Sequence, residues 1–188
     1  MIIEDILKGL KAKKHKFIAQ AISSIENNDR LKQSIINSIK SNNNRSIRIG
    51  ITGPPGAGKS SITNQLIKKY RSENKSVCAL LVDPTSPFSN GAVLGDRIRI
   101  NEFYDDNDVF IRSLASRGSK GGLSNNIDYI ADLVEYVGFD IIIFETVGVG
   151  QIELDVIESV DSVIVVLVPE SGDDIQIMKA GLIEIADL

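Results

Sequence analysis

The chain has 188 residues, with 21 Lys plus Arg against 25 Asp plus Glu, one Cys, one His and no Trp. A net charge of −4 argues against a nucleic-acid binder, which needs basic charge to displace counterions. One Cys and one His can make neither an intrachain disulfide nor a structural zinc site. With 43% apolar and 24% charged residues, the composition is that of a globular domain that buries roughly 70% of its unfolded surface. The start, Met1-Ile2-Ile3-Glu4-Asp5, carries acid where a signal peptide carries base. The apolar runs at 141–144 and 163–168 are strand-length, far below the ~18 residues of a membrane span. A soluble cytoplasmic protein with no membrane and no nucleic-acid partner is expected.

Taken in chain order, Ile2, Ile3, Ile6, Leu7 and Leu10 recur at helical spacing, as do Phe17, Ile18, Ala21, Ile22 and Ile25. Asn27-Asn28-Asp29 breaks the second helix, with Asp29 placed to cap a third that carries Leu31, Ile35, Ile36 and Ile39. Residues 1–45 therefore read as a helical N-terminal extension packed on a main domain at 46–188. Lys11, Lys13, Lys14 and Lys16 crowd one junction instead of standing opposite a wide apolar face, which reads as a solvated surface and not a membrane helix. His15, among these lysines, has no evident partner. From Ser46 onward the pattern is strand, turn, helix. Strands are expected over 46–52, 76–82, 109–113, 140–145 and 162–168, and helices over 59–71, 123–137 and 173–187, with a shorter one at 96–104. Near-continuous apolar strands alternating with amphipathic helices imply an α/β fold, its mostly parallel sheet covered on both faces. Cys78 falls mid-strand and reads as a small buried apolar residue.

Gly53-Pro54-Pro55-Gly56-Ala57-Gly58-Lys59-Ser60 satisfies G-x-x-x-x-G-K-[ST] at each fixed position, between an apolar strand and an amphipathic helix. The glycines let the backbone wrap a polyphosphate with its N–H groups inward, and the following helix adds its positive dipole end. Lys59, expected on an exposed loop, would reach the β- and γ-phosphates. The Ser60 hydroxyl would bind Mg²⁺, and Ser61 extends the set of nucleotide-binding residues.

In parallel sheets ligands gather at the carboxyl ends of strands, where two carboxylates are expected here, Asp83 and Glu145. Either could hold a water of the Mg²⁺ shell. Gly148 could offer its N–H to a γ-phosphate. Asp96 reads equally as a metal-side carboxylate or a helix cap. Gln151 reads as a group that orients an attacking water or as the cap of the next helix. The basic loop at 116–122 either brings charge to the phosphates or to a partner, or is simply exposed.

Together these segments resemble the MeaB/MMAA (ArgK-type) family of P-loop GTPases. The likeness runs through the phosphate loop, Val82-Asp83-Pro84-Thr85-Ser86-Pro87-Phe88, Gly91-Ala92-Val93-Leu94-Gly95-Asp96-Arg97, Glu145-Thr146-Val147-Gly148-Val149-Gly150-Gln151, and Gly172-Asp173-Asp174-Ile175-Gln176. The resemblance implies a P-loop NTPase three-layer sandwich. It also implies a slow GTPase that chaperones an adenosylcobalamin-dependent acyl-CoA mutase such as methylmalonyl-CoA mutase, gating cofactor loading and protecting the enzyme. By that analogy Ser60, Asp83, Asp96 and Glu145 surround Mg²⁺, with Lys59, Asp96, Glu145 and Gln151 carrying catalysis. The family reads guanine with an Asn-Lys-x-Asp segment beyond the helix expected to close at Leu188. The one Asn-Lys pair here, Asn74-Lys75, is followed by Ser76 and Val77 and lacks the Asp. The family's dimer-forming C-terminal arm has no counterpart either, so the front part of a longer protein is expected. Two other readings stand beside this one. One is a nucleotide-sensing interaction fragment without turnover. The other is a metal-delivery GTPase, for which His15 and Cys78 make a poor ligand pair.

Overall fold

The computed structural model describes residues 3–27, 29–40, 44–84, 102–103, 105–116, 122–146, 156, 158–168, 184 and 186–188. Three short helices come first: α1 (Ile3–Lys11), α2 (His15–Glu26) and α3 (Lys32–Ile39). In α1, Glu4 and Asp5 fill the first turn and Lys8 and Lys11 the last, which complements the helix dipole at both ends. The residue preceding α3 is Leu31. Asp29 therefore does not sit at the cap position; its Oδ1 instead accepts the Leu31 N–H at 2.7 Å in the turn before the helix.

The alternating part follows as β1 (Ile47–Thr52), α4 (Lys59–Ser72), β2 (Val77–Pro84), β3 (Val109–Ser116), α5 (Gly122–Val137), β4 (Ile141–Thr146) and β5 (Ser162–Val165). The five strands form one sheet in the order β3-β2-β4-β1-β5, and each neighbouring pair is parallel. Strand periodicity of two divides its apolar residues between the faces. Val77, Ala79, Leu81, Ile141, Ile143, Ile49 and Ile51 pack with Ile67 of α4. Cys78, Leu80, Val82, Ile142 and Phe144 pack with α5 and with Ile6, Leu10, Ile18 and Ile22 of the first two helices. The result is three layers, with α1–α3 beside α5 on one face and α4 on the other. Burial of Cys78 pushes its thiol pKa up, so it is held as an unreactive apolar group.

Two arginines fix the helices to the sheet. Arg112 of β3 donates to Ser23 Oγ at 2.8 Å and Glu26 Oε2 at 3.1 Å on α2. Arg48 of β1 donates to Asp132 Oδ1 at 2.8 Å and Glu135 Oε2 at 2.5 Å on α5. His15 does find partners: its Nε2 lies 3.2 Å from the Asn107 carbonyl, and its ring meets Phe110 edge-on at 5.3 Å.

Several boundaries differ from the sequence reading by more than one residue. β2 and β3 run on to Pro84 and Ser116, because their parallel register continues to that pair; Pro84, with no N–H to donate, is the last residue of β2. β5 stops at Val165 and not at 168. Its partner β1 ends at Thr52, where Gly53 turns the chain away at φ +139°. Asp187 is not helical: its N–H donates to the Val163 carbonyl at 3.0 Å, and Val165 N–H donates to the Leu188 carbonyl at 3.0 Å, along the edge of β5. Of the short helix expected at 96–104, the described residues 102–103 lie in a single 3₁₀ turn. Among the described residues no helix is long and apolar enough to cross a membrane.

Candidate nucleotide-phosphate site

β1 is buried from Ile49 to Thr52, and the loop at 53–58 leaves its carboxyl end to enter α4. Three glycines there hold positive φ: +139° at Gly53, +77° at Gly56 and +96° at Gly58. Gly58 is the residue before the helix and adopts the left-handed conformation that a side chain resists. Gly53 and Pro54 are buried, Pro55, Gly56, Gly58 and Ser61 are exposed, and Ala57 is half-buried. The first N–H groups of α4 have no acceptor within the helix, so this end is electropositive and open to an anion.

Lys59 corrects the sequence reading. It is buried, 7% exposed, and its ammonium donates to the Gly53 carbonyl at 2.8 Å and the Pro54 carbonyl at 2.9 Å. The cation is thus held across the base of the loop and does not extend from its surface.

Glu145 arrives from β4, which lies between β1 and β2. Glu145 is buried, at 7% exposure. Oε1 accepts the Ser60 hydroxyl at 2.5 Å and Oε2 accepts the Thr63 hydroxyl at 2.6 Å. Beside it, Thr146 Oγ1 donates to Thr52 Oγ1 at 3.0 Å, in a buried contact joining the ends of β4 and β1. Thr63 was not singled out from the sequence, although its position four residues before the buried Ile67 marks it as a hydroxyl on the core-facing stripe.

The structure therefore brings Ser60 and Glu145 together at the mouth of the loop. Asp83 lies at the carboxyl end of neighbouring β2, in register with Ala115; its side chain is outside the described residues. Asp96, Gly148, Gln151 and the loop at 117–121 are outside them as well. A hydroxyl and a carboxylate are hard oxygen donors of the kind Mg²⁺ prefers. No three His, Cys, Asp or Glu side chains gather into a metal-binding group among the described residues.

A parallel sheet covered on both faces, with this loop joining its β1 to α4, defines the P-loop class of nucleotide-binding folds. Among solved structures, one described as an LAO/AO transport system kinase superposes with a TM-score of 0.71 at 27% identity, covering 98% of this chain and 54% of that one. The chain belongs to the family described as methylmalonyl Co-A mutase-associated GTPase MeaB, which matches residues 18–188. A Pyrococcus horikoshii protein provisionally named a GTPase is 46% identical over 186 residues, 99% of this chain and 59% of that protein. The fused isobutyryl-CoA mutase of Nocardia farcinica is 40% identical over 143 residues, 74% of this chain and 13% of that protein. The chain spans between 57% and 59% of the length of three full-length relatives it matches.

Proposed function

We propose that this chain binds GTP and GDP with Mg²⁺ at the loop of residues 53–61 and hydrolyses GTP slowly. In this reading it acts in the cytoplasm as a chaperone that gates adenosylcobalamin loading into an acyl-CoA mutase and protects that enzyme. The observation that carries the proposal is the pairing of Ser60 and Glu145 at the open end of a phosphate loop whose lysine is already in place. Support for the mutase as client comes from the family's description and from the relative whose name joins this kind of sequence to a mutase.

The chemistry assigned to each group follows from its placement. Backbone N–H groups of the loop and of the start of α4 bind and orient the phosphates. Lys59, anchored on two carbonyls, holds positive charge beside them, where negative charge builds on the transferring phosphoryl group. Ser60 and Glu145 are the residues that would hold Mg²⁺, Ser60 directly and Glu145 through water. When bound, the ion neutralises charge on the phosphate oxygens. Asp83 and Asp96 complete the proposed metal side, Gly148 senses the γ-phosphate and Gln151 orients water. Residues 1–45 are proposed to act as an extension closing one face of the sheet.

The test is release of inorganic phosphate from GTP by the intact protein, alone and with an adenosylcobalamin-dependent acyl-CoA mutase. Slow turnover that the mutase accelerates is expected. Nucleotide binding with no phosphate release in either condition would leave a sensor without turnover in place of a GTPase.

A further inference from the structure

Thr63 lies one helical turn beyond Ser60 on α4 and is fully buried, at 0% exposure. A threonine hydroxyl inside a helix ordinarily finds the carbonyl three or four residues back. That of Thr63 goes across to β4 instead, donating to Glu145 Oε2 at 2.6 Å while Ser60 donates to Oε1 at 2.5 Å. Positions three apart share one face of a helix, so a single face grips both oxygens of one carboxylate. A carboxylate held through one oxygen still turns about its last torsion, which is broad and two-fold. Held through both, it has one orientation.

We propose that Thr63 is a positioning residue for the metal side of the site. It would touch neither nucleotide nor ion; it aims Glu145 Oε1 at Ser60, the residue that would hold the cation directly. The phosphate-loop pattern ends at Ser60 and assigns nothing to position 63. The inference rests on the loop being a Mg²⁺–nucleotide site. Groups that orient a metal's ligands from behind commonly change metal affinity by tenfold or more when removed.

The experiment titrates Mg²⁺ against binding of a fluorescent GDP analogue to the intact protein. It compares the parent with Thr63→Val, which keeps the shape and removes the donor, and with Thr63→Ser, which keeps the donor. Thr63→Val is expected to raise the Mg²⁺ concentration for half-maximal tightening by roughly tenfold, with affinity in EDTA within about twofold of the parent. Thr63→Ser should restore the parental requirement, and Thr63→Val should add nothing in a Glu145→Gln background, where the oriented carboxylate is gone. Should the valine variant fail to fold, Thr63→Cys, a weaker donor of similar size, reads the same effect at intermediate size. An unchanged Mg²⁺ requirement in Thr63→Val, or an equal defect in Thr63→Ser, would overturn the role of Thr63 while leaving the nucleotide site standing. A parent that binds the analogue equally with and without Mg²⁺ would overturn the metal side of the site and the role of Thr63 with it, and a parent that does not bind the analogue at all would overturn the nucleotide site itself.

Discussion

Gly53 and Gly56 occupy the same loop but differ in what a side chain would meet. A Cβ on Gly53 would lie 2.1 Å from the Val166 carbonyl oxygen, at a φ of +139°, so both the clash and the backbone oppose it. A Cβ on Gly56 would meet nothing within 4 Å, at φ +77°, leaving only left-handed strain of about 1–2 kcal/mol. Gly53→Ala is therefore expected to destabilise the protein by about 3 kcal/mol or more, against about 1–2 kcal/mol for Gly56→Ala. Urea midpoints for the two variants check the order; equal losses would mean that β5 and its continuation do not press on the loop. The loop and its glycines were legible because the pattern is fixed by the backbone itself. The anchoring of Lys59 was not, since a lysine in a Gly-rich turn reads as exposed until the carbonyls of Gly53 and Pro54 are seen to converge on it. Thr63 was passed over for a similar reason: its partner Glu145 is 82 positions away in sequence.

At the scale of elements, the amino ends of β2 and β4 are tied by Ser76 and Asp140. Ser76 donates its N–H at 2.7 Å and its hydroxyl at 2.8 Å to Asp140 Oδ2. Burial pushes the Asp140 carboxyl up, but the two bonds from Ser76, with Lys75 and Lys13 nearby, outweigh it and hold the pKa below the ordinary 3.8. A group depressed in the folded state contributes stability above its unfolded pKa, and that contribution is lost as pH falls through the folded value. Asp140→Asn should therefore be less stable than the parent at pH 7, with the gap closing below about pH 4. Urea melts at pH 7 and pH 3 make the comparison, and a gap of equal size at both would show that the charge is not what ties the strands. The five strands themselves were legible as apolar runs between turn residues. Their order was not, and neither was the face that α1–α3 cover. Those depend on contacts such as Arg112 with Glu26, 86 positions apart, which no local spacing carries.

Considered whole, the sheet order sets β4 between β1 and β2, so the loop leaving β1 and the carboxylate ending β4 meet at one edge of the core. At the opposite end of the sheet, Arg48 and Ser76 tie helices and strands. Variants at the nucleotide end that keep the parental melt therefore report binding chemistry. The most direct measurement is calorimetric titration of GTP into the intact protein, in Mg²⁺ and in EDTA. The proteins to compare are the parent, Lys59→Ala, Ser60→Ala and Glu145→Gln, with melts run alongside. Lys59→Ala is expected to lose at least about a hundredfold in affinity under both conditions, since it removes a charge-assisted contact. Ser60→Ala and Glu145→Gln should lose affinity in Mg²⁺ and stay near the parent in EDTA. A folded Lys59→Ala protein that binds GTP as tightly as the parent would contradict the phosphate site. Equal losses with and without Mg²⁺ in the other two would contradict a role for Ser60 and Glu145 in holding the ion.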